Sequence, residues 1–176
     1  KMPAIAITDH GNMCGVVDFY KKAQNVGIKP ILGMEAYVSP GSRFDRKADG
    51  IHNASYHITL LAKNEIGYGN LMKLSSLAFL EGFYYKPRID LESLFKYKEG
   101  LVVLSGCMKS ELSHYLLSDQ DKKADKYLDK IIGEFGKDDF YVELQRNNIP
   151  EQEIIFKKSI AIAKDKGLKV VASNDI

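Results

Sequence analysis

The chain has 176 residues, 45% of them hydrophobic and 27% charged, with a formal net charge of +2. That composition suits one soluble globular domain with a sizeable core, and no run approaches the roughly 18 apolar residues a membrane helix needs. The two cysteines, Cys14 and Cys107, stand far apart, which excludes a disulfide framework and a CxxC zinc pattern.

The near-neutral charge neither shows nor excludes a nucleic-acid surface, because a local basic patch can hide in a balanced total. Cysteine usage fits a reducing cytoplasm, and no secretory signal is present. The chain starts at Lys1, two residues before a strand pattern, and stops at Ile176, directly after another. It is therefore expected to be a fragment of a longer protein, forming a single domain over residues 1–176.

The apolar run at residues 4–7 predicts a buried strand, and Thr8, Asp9 and His10 follow where it ends. An acid and an imidazole side by side at a strand's C-terminal end is a common way for α/β enzymes to present chemistry. Residues 12–26 carry Met13, Val16, Val17, Tyr20, Ala23 and Val26 at helical spacing. Asn12 is the expected N-cap and Gly27 the expected C′ residue. Cys14 is expected to pack in or near that face. Residues 28–38 read as a strand around Glu35. A carboxylate inside such a run is costly unless paired or metal-bound; an edge strand with Glu35 facing water is the alternative.

Residues 39–55 form a loop in which Arg43, Arg46 and Lys47 could meet phosphates, although a solvated charged loop explains them better. His52 in this loop is expected to be solvated. Residues 56–62 predict a strand with His57 near its start, the wrong end for a ligand in a strictly parallel barrel. His57 is equally readable as a satisfied structural histidine. Residues 64–82 are helical, with Tyr68, Leu71, Met72, Ser75, Ala78 and Phe79 as the face. Phe83, Tyr84 and Tyr85 then stand beside Lys86 and Arg88. Aromatic and basic groups together can stack and pair with a nucleic-acid strand; an aromatic anchor under a loop is the alternative. Asp90 can cap a short helix to residue 97.

Residues 101–104 predict a strand leading into Ser105-Gly106-Cys107. There Cys107 is either a thiolate ligand or a small buried residue. Helices are expected over 109–117 and 119–135, the second with Ala124, Tyr127, Leu128, Ile131, Ile132 and Phe135 as its face. His114, on the first, reads as structural or exposed. A strand at 140–144 contains Glu143, a helix runs over 151–166 between Pro150 and Gly167, and a last strand at 169–172 ends in Ser173, Asn174 and Asp175. The alternating order argues an α/β fold with a largely parallel sheet. His10, Glu35, His57, Cys107 and Asp175 are then one ligand-type residue per strand. Imidazole, carboxylate and thiolate together suit zinc, with manganese or iron where oxygen and nitrogen dominate.

The stretches AIAITDHGNMCGVVDFYKKA, GIKPILGMEAYV, HITLLAKNEIGYGNLMKLSSLAFLEGFYYKPRID, EGLVVLSGCMKSEL, FYVELQ and VVASND follow one another along the chain. Together they resemble the polymerase and histidinol phosphatase (PHP) domain found at the N terminus of bacterial DNA polymerase III alpha subunits, of the class without an inserted exonuclease domain. The resemblance implies a distorted seven-stranded α/β barrel of PHP type around up to three divalent metal ions, zinc foremost. It puts His10, Glu35, His57, Cys107 and Asp175 on ligand positions, with Asp9 a ligand or a group that orients His10. The family's first motif, His-x-His on strand one, would lie before Lys1, and its last histidine beyond Ile176. The fragment alone is then expected to be inactive and marginally stable, with two unpaired barrel edges.

The implied activity is a metal-dependent phosphodiesterase giving 3′–5′ exonuclease proofreading, with a metal-bound water as the attacking group. DNA as primer-template and other replicative subunits are the implied partners. A non-catalytic scaffold that docks a separate exonuclease subunit, and a free-standing phosphatase such as histidinol phosphatase, are the alternatives.

Overall fold

The structure, a computed structural model, describes residues 2–47 and 55–174. His52 and Asp175 lie outside the described residues. The chain divides into two compact units, residues 1–101 and 102–176. Among the described residues there are seven strands and six helices, so the α/β reading holds.

In the first unit, β1 (Ala4–Ile7) lies parallel to the first half of β2 (Lys29–Val38), with Ile5 opposite Pro30 and Ile7 opposite Leu32. β1 is not the buried strand expected. Ile5 is 40% exposed and Ala6 is also exposed, because among the described residues this four-residue strand is paired with β2 alone. The second half of β2 pairs antiparallel with β3 (Tyr56–Ala62), and Tyr37 and Val38 also pair in parallel with β4 (Arg88–Ile89). The sequence gives no signal for β4, since two residues carry no period; only this long-range ladder makes them a strand.

Helix α1 (Val16–Asn25) begins three residues later than an N-cap at Asn12 predicts. Asn12 is not its N-cap. Its side-chain oxygen accepts from the Cys14 N–H at 2.9 Å, a local turn that competes with helix, and Gly15 takes the cap position without a side-chain bond. Outside the helix, Cys14 is exposed rather than packed. At the other end, Gly27 has φ +70°, as a C′ residue should.

Helix α2 (Glu65–Leu80) is capped by Asn64, which accepts from Gly67 N–H. It buries Leu71, Leu74 and Ala78, while Met72 and Phe79 of the expected face point outward. The rotation follows from Gly67: a Cβ there would stand 1.9 Å from the Gly100 carbonyl oxygen. The helix start therefore packs backbone to backbone on residue 100. Helix α3 (Leu91–Lys96) is capped reciprocally by Asp90 and Ser93, as Asp90 predicts. The core of this unit is Met34, Ile58, Leu60, Leu71, Leu74, Ile89 and Leu94.

The second unit is regular. Strands β5 (Leu101–Leu104), β6 (Phe140–Leu144) and β7 (Lys169–Ala172) form parallel ladders. Helices α4 (Glu111–Leu117), α5 (Asp121–Phe135) and α6 (Pro150–Lys166) pack beside them. Helix α5 buries Ala124, Tyr127, Leu128 and Ile131 of the face its spacing predicts, while Ile132 and Phe135 are half-buried. Pro150 opens α6 and Gly167, at φ +62°, ends it. Phe140, Val142, Leu112 and Leu128 are each at most 1% exposed.

Candidate metal centre

The antiparallel turn of β3 resolves the difficulty of His57. Because β3 runs against β2, its start lies beside the end of β2, with His57 opposite Tyr37 and Thr59 opposite Glu35. Opposed and diagonal residues of such a ladder share one face. The ladder also continues past β1. Gly11 N–H donates to the Glu35 carbonyl at 2.8 Å, and Glu35 N–H donates to the Asp9 carbonyl at 3.1 Å. That bridge holds His10 alongside Glu35.

Three of the predicted residues therefore meet. His57 Nδ1 lies 2.6 Å from Glu35 Oε1, and His10 Nε2 lies 3.4 Å from Glu35 Oε2. Each side chain has a donor atom within 4.8 Å of the others. Glu35 and His57 are buried, whereas the His10 side chain is 45% exposed. Glu35 thus does not face water at an edge. Two imidazoles and a carboxylate, one of them open to solvent, are a donor set that suits a divalent transition metal.

Asp9 stands apart from this group. It is exposed, and a Cβ on Gly15 would meet its Oδ2 at 3.1 Å. Its carboxylate therefore lies beside the N-cap of α1, where negative charge is favoured.

Cys107 is placed within the second unit. It is buried on the loop after β5, and its Sγ accepts from the Lys109 N–H at 3.5 Å. A small cavity beside it is lined by Met108, Glu143, Gln145, Gln152 and Ile155, among others. Glu143 is 8% exposed; its Oε1 accepts from the Ser173 hydroxyl, and its N–H donates to Ser105 Oγ at 2.9 Å. The Ser173 bond ties the segment after β7 onto β6. His114 is exposed.

Sequence reasoning missed Tyr37, whose ring meets His57 edge-on at 4.9 Å and His10 at 6.2 Å. The signal was present: Tyr37 is two residues after Glu35 on a strand, hence on the same face. Gly11 is the other missed residue. Its φ is +69°, and a Cβ there would stand 2.8 Å from the Tyr37 ring and 3.0 Å from Pro87 Cγ. Only glycine lets the turn after His10 close against Tyr37 and Pro87.

The basic residues near this site are mostly engaged. Arg43 donates to Glu81 at 2.7 Å and to Asp90 at 3.1 Å. Arg46 donates to the carbonyls of Arg43 and Glu81, both at 2.7 Å. These two arginines tie down the loop after β2 instead of waiting in solvent for phosphate. Arg88 is 2% exposed, donates to the carbonyls of Gly82 and Asp45, and lies 5.0 Å over the Tyr84 ring. Burial opposes charge on Asp90, but bonds from Arg43 and Ser93 and the Arg43 charge hold its carboxyl below the usual range.

The PHP domain model matches residues 1–147, and the chain belongs to the PHP domain family. It is 50% identical over 177 residues to the DNA polymerase III subunit alpha of Aquifex aeolicus and 48% identical over 174 residues to that of Thermus aquaticus. Each alignment covers 98% of this chain, which spans only 15% and 14% of those relatives' lengths. A solved Bifidobacterium adolescentis protein, assigned as a metal-dependent phosphoesterase, superposes with a TM-score of 0.56 at 16% identity. The match covers 97% of this chain and 76% of that one, and it shows a shared fold. No helix among the described residues is long and apolar enough to cross a membrane.

Proposed function

We propose that this chain is the PHP portion of a cytoplasmic bacterial DNA polymerase III alpha subunit, and that it binds divalent metal to hydrolyse phosphodiester bonds at a DNA 3′ end. One observation carries the reading: donor atoms of His10, Glu35 and His57, from the segment after β1 and from β2 and β3, gather within 4.8 Å in a chain about half identical to such subunits. The family resemblance makes Cys107 and Asp175 further candidate ligands, with zinc foremost and up to three ions. When bound, the ions supply Lewis-acid neutralisation of the phosphate and an activated water.

The side chains divide the remaining work. Glu35 supplies the buried negative charge, and its bond to Nδ1 fixes the ring of His57. His10, open to solvent, stands where a strand end can approach. Asp9 serves as a ligand or orients His10. Polymerisation belongs to parts of the subunit outside this chain, and DNA and further replicative subunits are its partners.

The test uses the full-length subunit and a primer with a mismatched 3′ end. His10→Ala should lower metal-dependent shortening by about a hundredfold or more. Unchanged metal content and unchanged rate in that variant would remove the assignment.

A further inference from the structure

The aromatic and basic turn at residues 83–88 divides into a buried part and an outward part. Arg88 and Tyr84 belong to the fold: the guanidinium is buried, bonded to carbonyls, and covers Tyr84. Tyr85 does not. Its ring is 50% exposed and 4.4 Å from that of Tyr84. Its backbone has φ +60°, in the left-handed region that costs a non-glycine residue free energy. The Tyr84 N–H donates to the Lys86 carbonyl at 3.0 Å, closing the turn and holding that conformation. An aromatic anchor would be buried; here a strained turn leaves the Tyr85 residue half exposed.

This turn is a wall of the His10, Glu35 and His57 group. Pro87 packs against Gly11, the residue after His10. The Lys86 ammonium lies 5.6 Å from the centre of the Tyr37 ring, whose edge meets His57. Lys86 forms no ion pair among the described residues, so its charge is available to an anion. An exposed aromatic face one residue from an ammonium that no carboxylate among the described residues neutralises, on a turn whose Pro87 meets Gly11 beside His10, matches one base and one phosphate of a strand.

We infer that the turn at Tyr84, Tyr85 and Lys86 is a landing for the 3′-terminal nucleotides of a single DNA strand, Tyr85 stacking on a base and Lys86 facing a phosphate. The assignment of the strand rests on the phosphodiesterase reading above; the landing itself rests on the geometry of the turn.

The experiment takes the full-length subunit with its metals and a single-stranded oligodeoxynucleotide probe. The probe carries 5-iododeoxyuridine at its 3′ end and a phosphorothioate as its last linkage. Irradiation should cross-link the probe to the peptide holding residues 84–86. Tyr85→Gly removes the ring and relieves the backbone, so it should fold and yet lower the cross-link about tenfold. Tyr85→Phe should keep the yield within about twofold, because every aromatic ring offers a stacking face. Lys86→Gln should lower it several-fold in low salt and less in high salt. No cross-link in that peptide, or one indifferent to Tyr85→Gly, overturns the landing. A cross-link in a protein that never shortens an ordinary phosphodiester probe supports the landing and removes the exonuclease instead.

Discussion

The two units of this chain solve the packing of a sheet in different ways. The second is a regular parallel α/β unit whose strands bury Val103, Phe140 and Val142 and whose ion pairs lie on the surface. The first mixes parallel and antiparallel ladders on one long strand and buries Glu35, His57, Arg88 and Asp90. Burying charge costs free energy unless each group finds a partner. The first unit accepts that cost where ligand-type residues gather, and the second does not carry it to the same degree, Glu143 being its buried carboxylate.

The comparison can be broken by substitution, with local hydrogen exchange in the full-length protein as the readout. Arg88→Ala should have the largest effect. It leaves the carbonyls of Gly82 and Asp45 without their donor and uncovers Tyr84. A loss of about 4 kcal/mol is expected in protection of β4 and the turn before it. Gly67→Ala should follow at about 3 kcal/mol, because its Cβ would meet backbone at residue 100 and no rotamer change can relieve that contact.

Gly11→Ala should cost about 2 kcal/mol through its left-handed φ and the Tyr37 ring. It should also weaken metal retention, since the displaced turn carries His10. Neither of the two larger changes is expected to act through a ligand.

Asp90→Asn keeps the helix cap but removes the charge facing Arg43, for an expected loss of about 1 kcal/mol at neutral pH. The sign of its pH dependence is fixed. The Asp90 carboxyl is held below its ordinary value of 3.8, so its contribution is present above about that pH. It is lost as the pH falls through the lower folded-state value, where variant and parent should converge. Lys169→Gln in the second unit should change nothing measurable, because its partner Asp138 is almost fully exposed. A large effect there would erase the contrast between the units.

The regular unit is also the one that was legible. The face of α5, the Pro150 start and the Gly167 stop of α6 follow from local spacing and local backbone chemistry, and they stand in the structure. In the first unit, locally derived expectations fail where long-range pairing takes over. β4 exists through its ladder with Tyr37 and Val38. The face of α2 turns because Gly67 meets residue 100. β1 stays exposed because, among the described residues, half of β2 is its single partner ladder. Glu35 was legible as a candidate because a carboxylate in an apolar run needs a reason. His57 was legible only as a residue type, because the reversal of β3 that brings it to Glu35 depends on a pairing no short window contains.

His10, Glu35 and His57 are proposed to hold a divalent ion. The direct measurement is the metal content of the purified full-length protein, wild type against Glu35→Gln, after dialysis against metal-free buffer. The variant should lose at least one equivalent of divalent metal while β2 and β3 keep their exchange protection. An unchanged metal content in a folded Glu35→Gln protein contradicts it.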